Sequence, residues 1–163
     1  MPASPGGLPG EPTRRTVARV LPVSSEDRVL LLLGSDPAVP EVRYWFSVGG
    51  GVDPGETLAE AAARELREET GVEVAPDLLG EPFGTFEVTF AWDGRSYTNE
   101  STLFAVALEE TPISFEGLDH LESQSIFDAR WWTPEELDDD GGAVDPRLID
   151  QMRAAIAHVR TPQ

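Results

Sequence analysis

The segment from Gly49 to Val72, GGGVDPGETLAEAAARELREETGV, constrains this chain more than any other. Three consecutive glycines and an Asp-Pro-Gly read as a loop, and a helix follows. Thr57 and Glu60 have the spacing of a capping box, in which each side chain satisfies a free N–H of the first turn. The alanines favour helix, and Gly71 is placed as a left-handed stop. With Leu58 at zero on a helical wheel, Ala61 falls near ~300°, Ala62 near ~40°, Glu65 near ~340°, Glu68 near ~280° and Glu69 near ~20°. One face thus begins apolar and continues as a stack of carboxylates. Burying an unpaired carboxylate costs several kcal/mol, so this face needs a compensating partner. A hard divalent cation would turn the mutual repulsion into coordination. The plain alternative is a solvated helix face in which Arg64 bridges Glu60 and Glu68.

The cluster does not stand alone. Gly50, Glu56, Arg64-Glu65-Leu66, Glu68-Glu69 and Gly71-Val72 occupy nine positions with fixed gaps over a 23-residue span. This pattern resembles the Nudix box at every defining position. The resemblance implies an α/β/α sandwich with a mixed β-sheet. It also implies a hydrolase that cleaves the P–O–P bridge of a nucleoside diphosphate joined to another group, with Mg2+ or Mn2+ required. Carried over by position, Glu65, Glu68 and Glu69 become metal ligands, joined by the Gly49 carbonyl. Arg64 orients the glutamates, and Glu56 pairs with an arginine or holds a metal-bound water. Gly50 and Gly51 are expected to let backbone approach substrate, with Trp45 or Phe46 beside it. The catalytic set expected is Glu65, Glu69, Glu122 and Arg64. The general base is open among Glu65 and Glu69 in the box and, outside it on a later loop that precedes the IFDARWW strand, Glu122, with Glu116 competing. A non-catalytic nucleotide-sensing module of the same fold is the alternative, and a metal-stabilised structural domain is a third.

The rest of the chain reads as one domain from residue 14 to 163, after a tail over 1–13 whose four prolines and three glycines suggest disorder. RTVARVLPV and RVLLLLGS read as strands joined by a hairpin turn at SSED, and YWFSV as a short strand. TFEVTFAW and RSYTNESTLFAVAL read as a hairpin about Asp93-Gly94. IFDARWW is a further strand. Thr133, Pro134 and Glu136 start a short helix, and Asp145-Pro146 a last one with Leu148, Ile149, Met152, Ile156 and Val159 as its core stripe.

Charge narrows the partners. Twelve basic residues, all arginine, stand against 30 acidic ones, a net charge of −18. That argues against a nucleic-acid polymer and against an anionic membrane surface. A small nucleotide remains, drawn in by cations. Without lysine, a Walker-type phosphate loop is excluded. There is no cysteine, no apolar run of membrane length and no apolar signal segment at the N-terminus, so the cytoplasm is the expected compartment. The acidic stretch EELDDDGGAVDPR fails as a calcium loop, because Arg147 falls where a bidentate glutamate is needed. The two histidines, His120 and His158, lack zinc-ligand spacing. Homodimers are common in the resembled family, and nothing in this sequence demands one. Where some relatives carry a substrate-marking proline or tyrosine downstream of the box, this chain has Phe86-Glu87-Val88, so the substrate stays open between ADP-ribose-like compounds, nucleotide sugars and nucleoside triphosphates.

Overall fold

The computed structural model describes residues 11–161. A central sheet of six strands carries the molecule, in the order β4-β5-β1-β3-β2-β6. The strands are β1 (Thr13–Val23), β2 (Val29–Ser35), β3 (Arg43–Gly51), β4 (Gly84–Trp92), β5 (Arg95–Ala107) and β6 (Ile126–Trp132). β1 runs parallel to β5 along its whole length, from Thr13 opposite Tyr97 to Val23 opposite Ala107, and every other pairing is antiparallel. The helices are α1 (Leu58–Thr70), α2 (His120–Ser125), α3 (Pro134–Asp140) and α4 (Arg147–Arg160), with a 3-10 turn at Pro76–Leu79. The mixed sheet of an α/β/α sandwich is what the resemblance implied. Of the expected tail, Thr13 already belongs to β1, and Met1 to Gly10 lie outside the described residues.

Each face of the sheet has its own core, because strand side chains alternate. On one face Ala18, Val20, Leu32, Val48, Phe104 and Val106 meet Ala61, Ala62 and Leu66 of α1. The alanines let α1 sit close to the sheet. On the other face Leu21, Val23, Val29, Leu31, Trp45, Leu103 and Trp132 meet Leu137, Leu148, Ile149, Met152 and Ala155. Each buried Val, Leu, Ile, Phe or Met side chain among these stabilises the fold by about 1.5–3 kcal/mol. Ile156 and Val159 pack partly buried at the margin of this layer.

Three expectations need correction. β1 and β2 do not form a simple hairpin: they touch at Val23 and Val29, and β3 inserts between them. β2 and the second half of β1 are apolar on both faces, which suits central strands rather than a solvated ribbon. The three glycines are not a loop. Gly49, Gly50 and Gly51 finish β3, opposite Arg19, Ala18 and Val17. Gly49 and Gly50 are glycines for steric reasons set out below. Glu122, expected in a loop, lies in α2, whose Asp119 cap and Glu122 make a third capping box. The hairpin at Asp93-Gly94 is present, with φ of 52° and 76° that fit its two-residue turn.

Candidate active site

The site grows from the start of α1. Thr57 Oγ1 accepts from the Glu60 N–H at 3.1 Å, and Glu60 Oε1 accepts from the Thr57 N–H at 2.9 Å. Gly71, at φ 79°, stops the helix with its N–H on the Arg67 carbonyl. These ends fix the rotation of α1, and so which residues look at the sheet. Leu66 is fully buried, while Glu65 and Glu69 are only 8% and 3% exposed. The acids thus continue the inward face, as the wheel required.

Glu65, Glu69 and Glu122 each bring a carboxylate oxygen within 4.8 Å of the others. Glu122 reaches the cluster from a distant part of the sequence. The Ser114 N–H donates to the Thr70 carbonyl at 2.9 Å, and Gly117 lies flat against the Glu68 backbone, where a Cβ would come within 2.8 Å of its oxygen. This docks the segment before α2 on the C-terminal end of α1. The capping box then holds Glu122: its N–H donates to Asp119 Oδ1 at 2.8 Å, and its Oε1 accepts from the Asp119 N–H at 3.3 Å.

Three carboxylates so close together, two of them buried and one half-buried, hold their protons more tightly than usual. Burial pushes Glu65 up, opposed by Arg64. Burial and then the Glu65 charge push Glu69 well above the carboxylate range, opposed by the Gly49 N–H on its Oε1 at 2.9 Å. Burial raises Glu122 to about 7, with the charges of Asp119, Glu65 and Glu68 adding to it.

Arg64 is the organiser. Its Nε and Nη2 donate to both oxygens of Glu56, at 2.7 and 3.0 Å, and Nη2 also donates to the Gly51 carbonyl at 2.9 Å. Its Nη1 donates to Glu65 at 3.0 Å and to Glu68 at 3.2 Å. One guanidinium therefore ties the end of β3 to two turns of α1. Glu56 takes the arginine-pairing role of the two expected for it. Arg64 bridges to Glu68 as the plain alternative had it, with Glu56 in place of Glu60.

The glycines are explained by what surrounds them. A Cβ on Gly50 would stand 2.5 Å from Glu65 Oε1, and one on Gly49, whose φ is 153°, would stand 2.5 Å from the Ala18 carbonyl. Gly49 engages Glu69 through its N–H. Glu68 lies outside the close group of three, and Glu116 is exposed and outside it too. Trp45 is a core residue: it is 7% exposed and packs edge-on to Trp132 at 5.2 Å. Phe46 is half-buried on the α1 face, in an edge contact with Tyr44. The His120 side chain lies outside the described residues.

Two arginines that sequence reasoning passed over lie on β1 within electrostatic reach of the acids. Arg19 donates to the Ser47 carbonyl at 2.9 Å, and burial lowers its pKa against the pull of Glu69. Arg15, half-buried, is likewise lowered by burial against the pull of Tyr97 and Glu65. Their signal was present: Arg15, Val17 and Arg19 alternate along β1, so both arginines take a single face of a central strand.

Comparison with known proteins agrees with this geometry. The NUDIX domain model matches residues 13–152. The chain is 30% identical over 123 residues to the ADP compounds hydrolase NudE of Escherichia coli K12, covering 74% of this chain and 58% of that protein. It is 33% identical over 118 residues to the RNA pyrophosphohydrolase of Erythrobacter litoralis, covering 64% and 63%. It is 34% identical over 90 residues to an uncharacterised Nudix hydrolase of Rhodococcus erythropolis, covering 55% and 45%. The chain thus spans less than two thirds of the length of these curated relatives. Among solved structures, the MutT protein of Methanosarcina mazei superposes with a TM-score of 0.67 at 19% identity, covering 93% of this chain and 99% of that one. This last likeness speaks for the fold alone. The family model accounts for the acid-lined helix and for the sheet it packs on, and the chain belongs to the NUDIX family.

Proposed function

We propose that this protein hydrolyses the phosphoanhydride bond of a nucleoside diphosphate derivative, with Mg2+ as the preferred cation and Mn2+ as a substitute. The observation that carries the proposal is the meeting of Glu65, Glu69 and Glu122 oxygens within 4.8 Å, the first two buried and the third half-buried. Three oxygen donors with raised affinity for protons fit a hard, oxygen-seeking divalent ion. Glu65 and Glu69 would hold it, with Glu68 and the Gly49 carbonyl as neighbouring donors. When bound, such a cation neutralises charge on the phosphate oxygens and makes water more acidic.

The side chains of this chain have distinct roles in that reaction. Arg64 fixes Glu65 through its Nη1 and cannot give up its own proton, so it is a positioning residue. Glu122 comes from a separate element and is poised near neutral pH, where a carboxylate is most useful as a proton acceptor. It would take a proton from the attacking water onto a carboxylate oxygen as the new P–O bond forms and the bridging P–O bond breaks. Arg15 and Arg19 would draw the polyanion into a molecule of net charge −18. Relatives named as an ADP compounds hydrolase and an RNA pyrophosphohydrolase support a substrate of this class. The cysteine-free sequence supports a cytoplasmic location. Among the described residues no helix is long and apolar enough to cross a membrane.

The test is a panel of nucleoside triphosphates, ADP-ribose and nucleotide sugars with Mg2+, products resolved by phosphorus NMR. E69Q should lower kcat at least about a hundredfold in a folded protein, the loss expected of an electrostatic group at the reacting centre. E122Q should lower kcat similarly and remove the acid limb of its pH profile. An E122Q enzyme that regains full kcat at high Mg2+ would make Glu122 a ligand and not a base. A sensing module without hydrolysis is the outcome if binding is tight and no product forms.

A further inference from the structure

Among the described residues, six buried side-chain nitrogen or oxygen atoms have no hydrogen-bond partner, and three of them fall on one patch: Arg15 Nε, Asn99 Oδ1 and Ser101 Oγ. The parallel register explains the grouping. Arg15 lies opposite Asn99, and Val17 opposite Ser101. Adjacent strands are ~4.8 Å apart and residues two apart along a strand are roughly 7 Å apart, so the three groups share an area about the size of a nucleobase. All three lie on the sheet face away from α1, because Leu103, next in the alternation of β5, belongs to the α4 core.

Asn99 is 3% exposed and Ser101 is 2% exposed. Leaving buried polar atoms unpaired costs about 1–3 kcal/mol each. Packing alone would have selected apolar residues here, as it did at Leu103 in the same row. The patch also adjoins the acid cluster. Val17 is opposite Gly51 on its other side, and a Cβ on Gly51 would stand 3.7 Å from Arg15 Nη2. The next residue back, Gly50, abuts Glu65. A molecule whose phosphates reached the acids across this glycine edge would lay its other half on Asn99.

We propose that Asn99 reads the nucleobase of the substrate, with Ser101 and the Arg15 Nε–H as flanking hydrogen-bond groups. A carboxamide presents an acceptor and a donor side by side, the pattern that pairs with a base edge carrying a donor next to an acceptor. Inorganic pyrophosphate or a bare sugar diphosphate offers no such edge, so the patch selects nucleotides over base-free phosphoanhydrides. The proposal rests on the hydrolase reading for the place of the phosphates, while its test is a binding measurement that needs no turnover.

Calorimetric titration with AMP, GMP, CMP, UMP and ribose 5-phosphate, on wild type and N99V, decides it. Wild type should bind at least one nucleotide ten times or more tightly than ribose 5-phosphate. N99V should lose that margin at least tenfold and leave ribose 5-phosphate binding unchanged, with an equal or higher Tm, since an unpaired amide has been replaced by an apolar side chain. If a buried water already satisfied Asn99, N99V would lower Tm and leave the nucleotide margin intact, and the inference would fall. It would fall equally if wild type showed no margin for any base. Absence of any product from the wild-type protein across the nucleotide panel, by contrast, would sink the hydrolase reading and leave this titration as it stands.

Discussion

Gly50→Ala tests the acid cluster with the smallest available change. The added methyl would start 2.5 Å from Glu65 Oε1 and 2.7 Å from its carboxyl carbon. Ordinary contact for such a pair begins near 3.4 Å, so the carboxylate must retreat by the difference, 3.4 − 2.5 = 0.9 Å. β3 has little room to retreat instead, because Gly50 is paired with Ala18 in the middle of the sheet. Glu65 cannot retreat freely either, since Arg64 holds its Oε1 at 3.0 Å while also gripping Glu56 and Gly51. Overpacking of this kind costs about 1–3 kcal/mol. At roughly 2–4 °C per kcal/mol for a domain of this size, Tm should fall by about 2–12 °C, leaving a folded protein at 25 °C. The functional loss should be larger, because a reacting group displaced by about 1 Å costs on the order of a hundredfold in rate. Thermal unfolding with and without 10 mM-scale Mg2+, together with phosphorus-NMR turnover, reads both effects. Wild-type stabilisation by Mg2+ and wild-type kcat in G50A would show that Glu65 is not where the chemistry needs it, and the whole assignment of the inward acids would go with it.

Two further outcomes follow from the same geometry. Without metal, the native state retains protons on Glu65, Glu69 and Glu122 that the unfolded chain has lost, so it binds more protons and stability must fall as pH rises from the ordinary carboxylate value of 4.5 through about 7. Glu56, held down by Arg64, acts in the opposite sense only below that range; Tm measured from pH 4.5 to 8 in a chelator should therefore decline, and Mg2+ should flatten the decline, whereas a rising chelated curve would contradict the raised acids. Asp119→Ala removes the cap that seats Glu122, at a cost of about 1 kcal/mol, and kcat should drop by ten times or more with KM nearly unchanged; a rate loss no larger than the stability loss explains would leave Glu122 without its proposed role.

The sequence made some parts of this molecule legible and hid others for identifiable reasons. Capping boxes at Thr57 and Thr133 and the stop at Gly71 are local, a few residues long, and each is found in the structure. The α4 stripe and the Asp93-Gly94 turn are likewise short-range patterns. Strand order is not local. β1 pairs with β5 across some eighty residues, from Thr13 to Tyr97, and nothing in either strand announces its neighbour. The glycines at 49–51 misled because glycine marks both flexible loops and strands with no room for a Cβ, and the groups that crowd Gly49 and Gly50, the Ala18 carbonyl and the Glu65 carboxylate, are brought there by the fold. Glu122 was picked out by its place before a strand, while the reason it reaches the acids is tertiary: Ser114 and Gly117 dock against the end of α1. Arg15 and Arg19 were hidden in what looked like an ordinary apolar strand.

Those two arginines also bear on why the acid stack is tolerated at all. Arg64 is spread over Glu56, Glu65, Glu68 and a carbonyl, so one guanidinium serves three carboxylates and leaves a deficit of two positive charges. Glu69 and Glu122 receive no arginine in a direct ion pair among the described residues. Arg19 attracts Glu69 from the sheet without touching it, since its Nη1 is committed to the Ser47 carbonyl. A fold optimised for stability would have closed that gap with one more cation, and β1 already supplies arginines within electrostatic reach. They stop short of the acids. An arginine paired directly with Glu69 would occupy the space where the three oxygens converge, and a buried pair of that kind is difficult to displace. Arg64 meets Glu65 and Glu68, while Glu69 and Glu122 have no direct arginine partner among the described residues, and that deficit of positive charge is what the proposed divalent ion would fill.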